Sequence, residues 1–129
     1  MNNREIRFRA WDKADKIMYY DIQRGIKFED DSEYPFDDFL NPKEGDYHKW
    51  KTMQLTTLFD KNGKEIWEGD IVEVWLPGMP HDLRATQEIM FVDGVFGCGT
   101  YPLNLVDKYA IEIIGNIYEN SELLNNLKK

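Results

Sequence analysis

Few side chains in this sequence are of the kinds that attack carbonyls, shuttle protons at neutral pH or hold soft metals. There are two histidines, His48 and His81, and one cysteine, Cys98. The histidines lie far apart and neither has a partner at ligand spacing such as H-x-x-x-H, so both read as loop or surface residues. Cys98 could join a histidine and an aspartate as a nucleophile, because such partners need only meet in space. It stands between Gly97 and Gly99, which suggest a bend or bulge rather than a continuing strand, and a lone cysteine is most often a small buried hydrophobe. A single cysteine excludes an internal disulfide and any multi-cysteine metal site.

The carboxylates offer a second kind of chemistry. Glu65, Glu68 and Asp70 stand close together in sequence, and with Asp93 they could hold a divalent ion or do acid–base work in a metal-dependent hydrolase. The stronger reading gives Asp70 a structural task, accepting hydrogen bonds from backbone N–H groups in its own turn. Asp60-Lys61-Asn62-Gly63 opens like a calcium loop, but the twelfth position, where such a loop needs Glu, falls on Ile71. Neither G-x-x-x-x-G-K-[ST] nor G-x-G-x-x-G occurs, so no phosphate-cradling loop is present. Arg4, Arg7 and Arg9 beside Trp11 have the basic and aromatic character of a single-strand-binding strip. The net charge of −8 and pI near 4.7 oppose that reading, and the arginines are expected to pair with acidic neighbours, including those of residues 29–46. No catalytic, cofactor-binding or metal-binding residue is therefore expected.

The elements that would position these groups are mostly strands. Ile6-Arg7-Phe8-Arg9-Ala10-Trp11 alternates apolar and polar side chains, and after the polar stretch 12–16 a second β-prone run follows at Ile17-Met18-Tyr19-Tyr20-Asp21-Ile22, so the two read as a hairpin. Residues 29–46 hold eight carboxylates against the single cation Lys43, with two prolines and several aromatics. Such a tract reads as a long exposed insertion, a solvated loop whose aromatics could pin it to the body. Met53 to Phe59 reads as a strand. Asn62-Gly63 is a type I′ hairpin turn signal leading into Lys64–Trp67, and Glu68-Gly69-Asp70 turns the chain again into Ile71–Trp75. Asp93-Gly94 marks another hairpin, and Tyr109–Ile117 reads as a last strand, interrupted at Gly115. Ser121 is suited to cap a short terminal helix carrying Leu123, Leu124 and Leu127.

The expected fold class is mainly β, with several coiled antiparallel hairpins including an SH3-like barrel, and a short C-terminal helix. A chain of 129 residues has room for one domain. Within it, 1–28 is the N-terminal hairpin region, 29–50 the acidic insertion, 51–120 the SH3-like core and 121–129 the helix. Composition agrees with a globular protein, being 42% hydrophobic, 14% aromatic and 31% charged. No apolar run approaches the roughly 20 residues of a membrane helix, and the first residues hold no apolar leader, so a cytoplasmic location is expected.

Three blocks carry a family resemblance across the chain. They are Arg4-Glu5-Ile6-Arg7-Phe8-Arg9-Ala10-Trp11-Asp12 with Met18-Tyr19; Met53-Gln54 through Asp60-Lys61-Asn62-Gly63-Lys64-Glu65-Ile66-Trp67-Glu68-Gly69-Asp70-Ile71-Val72; and Ile114-Gly115-Asn116-Ile117-Tyr118-Glu119-Asn120. With these the sequence closely resembles the YopX family of bacteriophage and prophage proteins. The resemblance implies a complex all-β fold containing an SH3-like barrel and an association with oligomeric assembly, without an established activity, cofactor or catalytic residue. One departure stands out. Where the family usually has Tyr-Thr-Gly-Leu after Met-Gln, this chain has Leu55-Thr56-Thr57-Leu58, which suggests a strand without a bulge at Thr57.

The function expected is that of a non-enzymatic phage accessory protein, a homo-oligomeric interaction module that could also bind a bacterial host protein. Trp11, Tyr19, Trp67 and Trp75 are the candidate contact residues, each with core packing as the competing role. Asn62, Gly63, Gly69, Asp70, Asp93 and Gly94 are assigned to structural turns. An alternative is an acidic mimic of nucleic acid that inhibits a host DNA- or RNA-binding protein, and a third is the carboxylate-dependent hydrolase. Neither direct nucleic-acid binding nor membrane contact is expected.

Overall fold

The computed structural model describes residues 6–41, 45, 48–80 and 82–125. His81, Leu127 and the acidic residues Glu44 and Asp46 lie outside the described residues, as does Arg4. The chain is mainly β and antiparallel. Its strands, in order, are β1 (Phe8–Asp12), β2 (Ile17–Tyr20), β3 (Ile26–Lys27), β4 (Glu33–Tyr34), β5 (Lys51–Phe59), β6 (Glu65–Trp67), β7 (Asp70–Val74), β8 (Ala85–Val92), β9 (Val95–Cys98), β10 (Tyr101–Pro102) and β11 (Ile111–Asn116). Two short helices among the described residues, α1 (Phe36–Leu40) and α2 (Glu122–Asn125), complete them. Two compact units result, residues 1–55 and residues 56–129.

In the first unit, β1 pairs with β2 in the expected hairpin, Ala10 opposite Tyr19, and with the first half of β5 on its other side. Residues 29–41 differ from the solvated loop expected of them. The tract closes a small hairpin, β3 against β4, and then forms α1, whose Phe39 is buried with Ala10, Ile22 and Trp50. Phe28, Tyr34 and Phe36 pack against the same cluster. The physical reason is amphipathicity over very short elements, with carboxylates on the outer side and rings on the inner. Asp30 turns the chain by accepting from the N–H and hydroxyl of Ser32 at 2.9 and 2.5 Å. Arg7 pairs with an acidic neighbour, Asp21, at 2.7 Å.

In the second unit a five-stranded sheet runs in the order β10-β9-β8-β7-β11. Its core is Ile66, Val72, Val74, Ile89, Cys98, Leu103 and Ile111. Asp93 and Gly94 both take positive φ, 55° and 82°, as a type I′ turn requires. At Asn62-Gly63 only Gly63 does, at 78°, and the turn is instead of type I closing on a left-handed glycine. The cause is Asp60. Its buried carboxylate accepts from the N–H groups of Asn62 and Lys64, both at 2.9 Å, and so sets the turn from its first residue. The other carboxylate oxygen accepts from Ile113 N–H at 3.0 Å, tying this hairpin to β11.

Two further expectations are corrected. Strand β9 runs on through Gly97 to Cys98, and the chain turns only at Gly99, where φ is 62°. Thr57 takes φ of 69° despite its branched side chain, so β5 keeps the irregularity that the loss of a glycine was expected to remove. Burial along β5 shows the effect: Met53 and Leu55 are buried in alternation, and Thr56 then breaks the phase. The Thr56 hydroxyl donates to Ile66 O at 2.6 Å and accepts from Leu58 N–H at 3.1 Å, so it bonds on both sides of the irregular residue.

Candidate functional site

Of the side chains singled out in the sequence, Trp11 and Trp67 are buried, 7% and 5% exposed, and so serve as core. Trp75 is half-buried. Its indole N–H lies 3.1 Å from both Met79 O and Pro80 O and fastens the 77–80 loop to the end of β7. Tyr19 sits in an aromatic cluster of the first unit, edge-on to Phe28 and to Trp50, each with ring centroids at 5.6 Å. Burial raises the Tyr19 phenol above its usual range, and the nearby carboxylates of Asp12 and Asp15 add to the shift. The structure thus separates the four contact candidates into two core residues, one loop anchor and one member of a ring cluster.

The turn residues behave as turn residues. Asp70 is buried and accepts from Trp67 N–H at 2.7 Å, so its carboxylate is committed to the corner that Gly69 makes with φ of 89°. Gly69 N–H donates to Ile89 O at 2.8 Å, and Ile117 N–H donates to Gly69 O at 2.9 Å. Glu68 raises the Glu88 carboxyl above the usual range, after burial, which is the larger cause. Cys98 is fully buried, and burial pushes its thiol up to about 11. A thiol held protonated and out of solvent is a poor nucleophile.

The cluster that sequence reading missed is centred on His48. Its Nδ1 lies 2.5 Å from Asp12 Oδ2 and 3.9 Å from Asp15 Oδ2. Among the described residues these three side chains form a group with donor atoms within 4.8 Å of one another. Asp12 is fully buried, and its Oδ1 accepts from Ala14 N–H and Asp15 N–H, both at 3.0 Å. The 2.5 Å contact joins the imidazole and the carboxylate by a hydrogen bond. The pair therefore orients the imidazole. The ring stacks on Trp50 at 4.6 Å and 22°, lies parallel to Phe28 at 5.7 Å, and meets Tyr34 edge-on at 5.5 Å. Lys49, at φ of 52°, lets the chain fold His48 and Trp50 face to face. The only hint in the sequence is Asp12 ahead of Ala14 and Asp15, a spacing that suits a carboxylate turning its own backbone.

The sheet edges differ in how they are finished. On β11, Ile111 O accepts from Lys61 N–H at 2.9 Å, Ile113 N–H is taken by Asp60, and Asn116 N–H donates to Asn120 Oδ1 at 3.1 Å. At the other end of that sheet, β10 is two residues long and contains Pro102. In the first unit, β2 is the edge strand and carries the sequence Ile-Met-Tyr-Tyr, with Ile17 44% and Tyr20 52% exposed.

Comparison with known proteins fits this architecture. No curated protein matches the chain significantly. Among solved structures it is similar to protein EF1440 from Enterococcus faecalis, at 29% identity and a TM-score of 0.63, over 93% of this chain and 98% of that one. It is similar in fold to the yopX protein of Bacillus subtilis, at 22% identity and a TM-score of 0.58, over 95% of this chain and 98% of the other. The blocks that carried the resemblance are the β1–β2 hairpin start, the β5–β7 corner and the end of β11, and the sequence matches the YopX protein family across residues 7–125. The chain belongs to the YopX family.

Proposed function

We propose that the chain is a non-enzymatic interaction module, an accessory protein of bacteriophage or prophage, that works in the bacterial cytoplasm as a homo-oligomer joined along β2. The five-stranded sheet is read as its SH3-like barrel. The observation that supports this is the contrast between the edges. Side chains and a proline finish β11 and β10, whereas β2 presents an apolar, aromatic edge strand with no proline or charge inside it. Such an edge adds a strand from another chain through main-chain hydrogen bonds. The pairing partner is β2 of a second copy, in antiparallel register, which gives a closed two-fold contact.

Sedimentation of the purified chain tests the reading. The expected result is a dimer or a multiple of one, and Ile17→Lys, which places a charge on the edge, shifts it to monomer without lowering the melting temperature. A monomer at all concentrations for the unmodified chain refutes it. A second reading, an acidic mimic that inhibits a host nucleic-acid-binding protein, draws support from the folded state of the acidic tract. Asp30, Asp31 and Asp37 are exposed on ordered backbone rather than on a floating loop. Release of a captured host protein by added DNA is the result that favours it.

A further inference from the structure

A cleft of about 180 Å³ opens in the second unit beside the irregularity of β5. Ile66, Leu103 and Ile111, all nearly fully buried, form its floor, and the half-exposed ring of Phe59 lines it as well. Its polar lining includes Thr57 and the exposed Lys108. Lys108 lies on the short 3-10 turn Lys108–Ala110, with its ammonium 5.1 Å from the centroid of the Tyr109 ring. We propose that this cleft binds a compact monocarboxylate whose body is a single aromatic ring or branched aliphatic group, with the apolar part on the floor and the carboxylate toward Lys108.

Three observations carry the proposal. The first is size: a dry apolar cavity of about 150 Å³ accommodates benzene, so a cleft of about 180 Å³ has room for a ring and a methylene. The second is charge. In a protein of net charge −8, a cation lining an apolar cleft selects an anion there, while the surrounding field repels anions elsewhere. The third is Thr57. A β-branched residue at φ of 69° is held in a conformation that its own side chain opposes. Its hydroxyl donates to Thr56 O at 2.5 Å, and the residue so held lines the cleft. The inference stands apart from the β2 edge, which lies in the first unit.

The test is a titration of the full chain with phenylacetate, followed by amide NMR. The expected result is saturable shifts at Thr57, Leu103 and Lys108, with a dissociation constant on the order of 1 mM, the range open to a ligand of this size. The neutral isostere phenylacetamide binds about threefold more weakly, and Lys108→Glu weakens phenylacetate about tenfold while the melting temperature is unchanged. Thr57→Gly weakens binding while raising the melting temperature, a combination that simple loss of structure cannot produce. Absence of saturable shifts at these amides overturns the proposal. So does equal affinity for acid and amide, or a Lys108→Glu variant that binds phenylacetate as well as the unmodified chain.

Discussion

Thr57 holds its backbone where glycine is at ease and a branched residue is not. Its replacement by glycine removes the clash between Cβ and the following carbonyl, against the extra freedom glycine has when unfolded. The balance predicts that Thr57→Gly stabilises the chain by ~0.5–1 kcal/mol, read from urea unfolding midpoints. Glu88 makes a second case at this scale. Burial and the charge of Glu68 raise its carboxyl in the folded protein, so the folded state holds this proton more tightly than the unfolded one. Stability is then lost as pH rises from the unfolded value through the raised folded one. Glu88→Gln should melt higher than the parent at pH 7, with the difference vanishing at about pH 3, where both are uncharged at this position. A gain of equal size at both pH values would show that the effect is not one of charge.

At the scale of elements, the acidic tract is the most instructive. Phe39, in α1, is 1% exposed and tilts against Trp50 at 4.7 Å between ring centroids. Phe39→Ala should therefore cost about 3–4 kcal/mol, the range of a core phenylalanine, whereas a solvated loop would lose almost nothing. Denaturant unfolding separates the two outcomes. The sequence shows Asp37 and Asp38 as plainly as Phe36 and Phe39, and charge density alone argues for solvent. What it does not show is that Trp50 and Ile22 wait to receive the rings, because those contacts are long-range and a five-residue helix has too few turns to display a period. The β1–β2 hairpin, the Asp93-Gly94 turn and the corner at Gly69-Asp70 were legible because their determinants are local. The turn at Asn62-Gly63 was legible as a turn but not as its type, since Asp60 decides it through a carboxylate that also reaches β11. Of the His48–Asp12 pair only the turn that Asp12 makes was hinted at in the sequence, its two members being joined by the folding of the first unit.

For the whole molecule, the net charge of −8 bears on the proposed homo-oligomer. Like-charged copies repel at low ionic strength, and screening shortens that repulsion to about 10 Å at 0.1 M salt. The association proposed along β2 would be made of backbone hydrogen bonds and apolar side chains, and the same screening would not weaken it. The oligomer should therefore strengthen as salt rises from about 0.05 to 0.5 M, in contrast to an assembly held by ion pairs. Sedimentation across that range reads the direction, and weakening with salt would point to an ionic contact elsewhere on the surface.

The aromatic inner side of the acidic tract also bears on how this protein can be handled. A segment dense in carboxylates and interrupted by proline invites removal, as a dispensable loop, when a shorter fragment is wanted. Deleting 29–41 would take Phe39 out of the core and strip Tyr34 and Phe36 from around it, leaving Trp50, Ile22 and the His48 ring facing water. The fragment so made would be more hydrophobic on its outside and less acidic at once, which is a recipe for aggregation rather than for a minimal domain. Cuts or tags are better placed in an exposed turn away from the aromatic cluster than in the stretch whose composition most resembles a linker.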